Sequence, residues 1–94
     1  MDRRSKRSLN KKTMKKPTEK QGQYLAYIDN YTVMHRCAPA ETDMQFFFRV
    51  TPPTVHQMIL KLEENGFISR VPRQARSIKI LIDSDKIPNL KKTK

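Results

Sequence analysis

Residues 51–82 read TPPTVHQMILKLEENGFISRVPRQARSIKILI, and the run divides at Gly66. Before it, Thr51-Pro52-Pro53-Thr54 is a helix start: threonine suits an N-cap, and proline is tolerated where no intrahelical N–H is needed. Val55, Met58, Ile59 and Leu62 then recur at i, i+3, i+4 and i+7, the spacing of one buried stripe. Asn65-Gly66 closes the helix, because glycine takes up the left-handed backbone that commonly ends one. After the glycine, Phe67-Ile68-Ser69-Arg70-Val71 and Ser77-Ile78-Lys79-Ile80-Leu81-Ile82 read as two strands joined by a turn at residues 72–76. Ile78, Ile80 and Ile82 fall on one face of the second strand.

Upstream, the pattern is helical. Thr18 with Gln21 three residues later forms a capping box, and Tyr24, Leu25, Tyr27, Ile28 and Tyr31 follow at helical spacing. This helix is expected to fade at Asn30–Thr32. Val33–Ala38 is compatible with either a continued helix or a short strand leading into Pro39. A second helix is expected from about Ala40 to Phe47, with Glu41 and Asp43 in a first turn that favours negative charge. Met44, Phe47 and Phe48 supply its apolar face, and Arg49-Val50 is the break before the third helix. Three helices followed by a hairpin define an α+β chain, mainly α: a winged helix-turn-helix over residues 18–82.

The composition bounds what such a chain can do. It has 94 residues and a net charge of +11, from 20 basic and 9 acidic residues. A unit of this size buries only about 60 % of its unfolded surface, so a deep substrate cavity beside a core is not expected. The charge favours a polyanionic partner and does not by itself choose one. Most of it lies in residues 1–17, where Arg3, Arg4, Lys6, Arg7, Lys11, Lys12, Lys15 and Lys16 face only Asp2. That stretch has too little apolar surface to fold and reads as a basic arm, serving either to grip phosphates or as a solubilising tail. Residues 83–94 read as a second tail, held near its start by Ile87 and Leu90. One cysteine excludes an internal disulfide framework, and no apolar run approaches the roughly 18 residues that a membrane span needs. A cytoplasmic, nucleoid-associated location is expected.

Opposite the stripe at Val55, Met58, Ile59 and Leu62, the third helix carries Pro53, Thr54, Gln57, Lys61 and Glu64, with His56 on the flank. Two helices joined by a short turn can set the second in the major groove of B-DNA while the first braces it. Short polar side chains there can meet base edges: threonine a donor, an acceptor or a thymine methyl, glutamine an adenine. The hairpin adds Arg70, Arg73, Arg76 and Lys79, with no acidic residue between Phe67 and Ile82. Arg73 and Arg76 bracket its tip, where an arginine can reach a phosphate or a narrow minor groove. The same charges on an exposed hairpin edge would also discourage aggregation.

At these residues the chain resembles the N-terminal winged-helix domain of LexA-type repressors, over about Thr18 to Ile82. The resemblance is carried by Gln23-Tyr24-Leu25-Ala26-Tyr27-Ile28, Ala38-Pro39-Ala40-Glu41, Thr51-Pro52-Pro53-Thr54-Val55, Leu62-Glu63-Glu64-Asn65-Gly66-Phe67-Ile68 and Ala75-Arg76-Ser77-Ile78. The junction from leucine to isoleucine is shared with other winged helices, including the MarR type; the proline-started third helix is more specific. The resemblance implies a transcriptional regulator that binds double-stranded DNA through a recognition helix at residues 51–65 and a basic wing at 70–79. Bases would be read by Thr51, Pro53, Thr54, His56 and Gln57, and the backbone held by Arg49, Lys61, Arg70, Arg73, Arg76 and Lys79. Pro53 offers no hydrogen bond, and the family carries polar or acidic side chains at several of these places, so its operator need not transfer. No residues remain for the family's self-cleaving domain, which is also its main dimerisation unit. A non-enzyme is therefore expected, with a homodimer possible on DNA.

Other constellations point elsewhere or nowhere. His35, Cys37 and His56 lack the paired spacing of a zinc site, and Cys37 reads as a half-buried packing residue. No catalytic triad or phosphate-cradling loop occurs, and no metal, cofactor or small-molecule substrate is expected. Phe46-Phe47-Phe48 reads as core with one ring partly exposed, although such a run can also stack on single strands or mark a dimer contact. Two rivals accompany the DNA reading: a winged helix serving protein–protein interaction, and a non-specific nucleic-acid binder driven by the arm.

Overall fold

A computed structural model describes residues 16–91, so the expected basic arm, up to residue 15, lies outside the described residues, as do residues 92–94. The first helix, α1 (Glu19–His35), opens on the expected capping box. Thr18 Oγ1 accepts the Gln21 N–H at 3.1 Å, and Gln21 Oε1 accepts the Thr18 N–H at 2.9 Å. Helix α1 does not fade at Asn30–Thr32. The Thr32 hydroxyl donates to the Ile28 carbonyl within the helix (2.8 Å), and the chain turns out only at Arg36, whose left-handed backbone sends its N–H to Thr32 O. The ambiguous Val33–His35 stretch is therefore helix, while Cys37, expected to be half-buried, is exposed just beyond the cap. A residue placed one step past a helix end faces solvent unless the loop folds back over it, which this one does not.

Helix α2 (Glu41–Phe48) starts where Asp43 Oδ2 accepts the Ala40 N–H at 2.8 Å. It ends at Arg49, again left-handed, with the Val50 N–H reaching Gln45 O at 3.1 Å. Helix α3 (Pro52–Glu64) follows after Thr51. Thr51 has the extended backbone of an N-cap, but its side chain does not cap. Its hydroxyl lies 2.9 Å from that of Thr54, and the second proline has removed one of the N–H groups a cap would meet. At the other end the Gly66 N–H reaches Glu63 O and the Phe67 N–H reaches Leu62 O, both at 3.0 Å. This double closure, with φ of 81° at Gly66, is the Schellman motif, and Phe67 and Leu62 make its apolar contact within the core.

Strands β1 (Ile68–Ser69) and β2 (Lys79–Ile80) pair antiparallel, Ile68 opposite Ile80 and Ser69 opposite Lys79. Both are shorter than the sequence pattern implies. Pro72 cannot donate to a ladder, and two turns occupy the stretch where pairing would continue. Ser77 replaces the ladder there: Oγ accepts the Val71 N–H (2.9 Å) and has the carbonyls of Gln74 (2.8 Å) and Val71 (3.1 Å) within donating reach. The expected face of the hairpin is kept, with Ile78 buried and Ile80 and Ile82 packed against the core.

One core joins all these elements. Tyr24, Leu25 and Ile28 of α1 meet Met44 of α2, Val55, Ile59 and Leu62 of α3, and Phe67, Ile68 and Ile78 at the root of the hairpin. The aromatic run on α2 divides as expected: Phe48 stacks on Tyr24 at 4.1 Å, Phe47 lies against Tyr27 at 4.6 Å, and Phe46 faces out. After Ile82 the chain crosses back over α1 through a 3₁₀ turn at Ser84–Lys86. The Gln23 amide donates to Asn89 O (3.0 Å) and accepts the Lys91 N–H (2.7 Å), and the Lys91 ammonium meets Glu19 at 3.0 Å. Pro88 approaches so closely that a Cβ on Gly22 would lie 2.8 Å from its Cγ. The result is a winged helix-turn-helix, three helices and a two-stranded wing, with this return segment as an added strap.

Candidate nucleic-acid interface

The stripe of α3 decides which residues it can present. Val55, Ile59 and Leu62 are wholly buried, so the opposite face is turned outward by the helical repeat. Thr51, Pro53, Thr54, His56 and Gln57 are all exposed, crowded into the first two turns and the cap, with Lys61 exposed a turn later. Arg49 stands exposed at the turn between α2 and α3. The first turn of α3 offers few backbone donors because Pro52 and Pro53 have none. Hydrogen-bonding capacity at that end therefore rests on side chains: the paired hydroxyls of Thr51 and Thr54, and the amide of Gln57. His56 is less free than these, with Nδ1 3.3 Å from both carboxylate oxygens of Glu41, which ties α3 to the start of α2.

The wing cations separate into two kinds. Arg73 and Lys79 are exposed, and among the described residues no side-chain hydrogen bond or ion pair engages either cation. Arg70 lies against α3: its Nε donates to Glu63 Oε1 at 3.0 Å, and only 17 % of its side chain is exposed. Arg76 turns away from the tip toward α1 and α2. Its Nη1 donates to the Tyr31 hydroxyl (3.0 Å) and the Ala38 carbonyl (3.3 Å) and forms an ion pair with Asp43 Oδ2 (3.3 Å). The hydrogen bond that Arg76 donates to the Tyr31 hydroxyl is the main cause of a guanidinium pKa above its ordinary value, and Asp43 adds a smaller push. Beside this cluster, burial and then the Asp43 charge push the Tyr27 phenol up. Burial alone does the same for Tyr24.

Sequence spacing placed Arg70 and Arg76 among the phosphate contacts and gave no role to Tyr31, Ala38, Glu41 or Glu63 as their partners or those of His56. The available signal was Asp43. Asp43 favours the first turn of a helix, and the same carboxylate can also meet a cation from elsewhere in the chain. Among the described residues, four with side chains have left-handed backbones, and all are arginines: Arg36, Arg49, Arg73 and Arg76. Two of them end helices, and two shape the wing turns.

No family model matches the chain. It is 38 % identical over 68 residues to the LexA repressor of Thermosipho melanesiensis, covering 72 % of this chain and 34 % of that protein. It is 34 % identical over 68 residues to the LexA repressor of Thermosipho africanus, with the same coverage of both chains. It is 32 % identical over 71 residues to the LexA repressor of Bartonella quintana, covering 74 % of this chain and 30 % of that protein. The chain thus spans about a third of the length of the relatives it matches. The resemblance read in the sequence holds over that share. No helix among the described residues is long and apolar enough to cross a membrane.

Proposed function

We propose that this chain, LexA-like over 72 % of its length, binds double-stranded DNA as a transcriptional regulator. The observation that carries the reading is the outward face of α3. Thr51, Pro53, Thr54, His56 and Gln57 are exposed together at its N-terminal end, on a helix whose other face is anchored by three wholly buried residues. In this reading α3 enters the major groove. Gln57 pairs with an adenine edge, Thr54 meets a base edge or a thymine methyl, and Pro53 supplies apolar contact and shape. Thr51 and His56 border that surface, His56 held to Glu41 and so fixed in direction. Arg49 and Lys61 flank the helix and meet phosphates, while Arg73 and Lys79 carry the wing onto the neighbouring backbone. A single copy has a small interface, so specific binding is expected from two copies on paired half-sites.

The test is selection of genomic fragments by the purified protein, followed by gel shift and footprinting on the recovered sequence. Gln57→Ala should relax preference at one base pair, at a cost of about 1–3 kcal/mol. Arg73→Ala should weaken all duplexes alike and lower the salt slope by about 0.9. Recovery of no fragment at moderate salt would sink the reading. The rival of a protein-interaction module has one observation in its favour, the Phe46 ring, 81 % exposed on α2. It predicts that Phe46→Ala abolishes function and that Gln57→Ala and Arg73→Ala do not.

A further inference from the structure

We infer that Arg76 is a positioning residue, a latch that holds the wing turn against the first two helices so that Arg73 and Lys79 can reach phosphates. The inference rests on the DNA-binding reading above and changes the role expected of this arginine.

The wing needs an external hold. Among the described residues its ladder is the pairs Ile68–Ile80 and Ser69–Lys79 with a bond from the Leu81 N–H to Phe67 O at its root, and the chain beyond is bonded internally through Ser77 and one turn bond from the Gln74 N–H to Val71 O. Two short strands on their own are marginal in water. Arg76 supplies what the ladder lacks. Its left-handed backbone, with φ of 58°, directs the side chain out of the turn toward α1 and α2. One nitrogen then meets acceptors from three separate segments: Tyr31 in α1, Ala38 in the loop after it, and Asp43 in the first turn of α2. The guanidinium carbon also lies 5.9 Å from the centre of the Tyr31 ring. Asp43 is fixed in its turn by the Ala40 N–H, so the latch closes on a carboxylate that is already oriented. A phosphate approaching Nη1 would have to compete with all three acceptors. Arg73, three residues away with φ of 66°, has no such partner among the described residues and is the cation left to be presented. The position of Arg73 and Lys79 then depends on Arg76 without Arg76 touching DNA.

Salt dependence separates latch from contact, because each duplex phosphate contact adds about 0.9 to the slope of log affinity against log salt. As a latch, Arg76→Ala releases Arg73 and Lys79 together, and the slope should fall by about 1.8, twice the value for one contact. Tyr31→Phe combined with Asp43→Asn leaves Arg76 in place and should reproduce that fall. Adding Arg76→Ala to the pair should bring no further loss. Hydrogen exchange without DNA gives a second readout: amides at residues 71–77 should exchange faster in both variants while those of α1, α2 and α3 do not. Tyr31→Phe alone serves if the double variant fails to fold. The latch is overturned if Arg76→Ala lowers the slope by only about 0.9 and Tyr31→Phe/Asp43→Asn binds like wild type. Unchanged exchange in the wing of every variant overturns it equally. If the wild-type protein retains no duplex, the DNA reading has failed, and the exchange measurement still decides the latch.

Discussion

Helix α3 and the wing are neighbours in sequence and are held by opposite means. The helix is fixed by what it buries: a stripe of three wholly buried residues and a glycine-closed end. The wing is rooted in the same core through Phe67, Ile68 and Ile78, but beyond its short ladder it is held by polar side chains. Ser77 bonds it internally, Arg70 ties it to Glu63, and Arg76 ties it to Tyr31 and Asp43. Cations in a winged helix therefore do not form one class. On α3 an exposed lysine is available to a partner; on the wing an arginine can be spent on the fold, and only its bonds tell which.

The largest test of this contrast is removal of one buried side chain. Ile59→Ala should destabilise the protein by about 2–5 kcal/mol, the range for truncating a large core residue. Urea unfolding followed in α3 and in the wing should shift together, because Phe67 and Ile68 share the cluster. Loss confined to α3 would break the comparison at its root. Next is Gly66→Ala, which places a Cβ on a backbone with φ of 81°. The left-handed conformation costs such a residue about 1–2 kcal/mol, and thermal melting should fall accordingly. Ser77→Ala comes third. It removes a hydroxyl that both accepts and donates, at a cost near 1 kcal/mol, and the effect should be local. Amides from Val71 to Ser77 should exchange faster while those of α1 remain protected. A global loss of protection would mean that the wing is not the separable unit described.

What could be read from the sequence follows the same division. The capping box of α1, the stripe of α3, the stop at Gly66 and the isoleucine face of β2 all depend on residues within a turn or two of each other, and each is present in the structure. Arg76 bonds Tyr31, Ala38 and Asp43, which are remote in the chain, so no local spacing announces it. The brevity of β1 and β2 was hidden for a related reason. Alternation of side chains marks a face, but the ladder needs backbone N–H groups that Pro72 and the Ser77 hydroxyl had removed from it. The strap after Ile82 left one signal, a glycine inside the first helix, where alanine would be preferred by about 1 kcal/mol. Gly22 is explained by the approach of Pro88. For the candidate site, the exposed end of α3 was legible from periodicity alone, whereas the division of the wing arginines into held and presented was not.

The finest test of that division is the ion pair between Arg70 and Glu63. It spans the junction of the two regions, from the last turns of α3 to the first residue after β1. Its Nε–Oε1 distance of 3.0 Å and the low exposure of Arg70 make it tighter than a solvent-borne pair, but Glu63 is 37 % exposed and the charge is partly screened. Exposed pairs contribute about 0.2–1 kcal/mol, and this one should fall toward the upper end of that range. A double-mutant cycle with Arg70→Met and Glu63→Gln isolates the term, since each change removes one charge while Gln keeps the shape of Glu and Met keeps an unbranched apolar stem in place of that of Arg. The coupling should shrink as salt is raised, because the Glu63 side is open to water. On selected duplex DNA the expectation runs the other way. If Arg70 is spent on the fold, Arg70→Met should leave the salt slope unchanged and Glu63→Gln should not strengthen binding. A fall in slope of about 0.9 for Arg70→Met, with a gain in affinity for Glu63→Gln, would move Arg70 into the same class as Arg73. The boundary between holding and presenting would then lie at Arg76 alone.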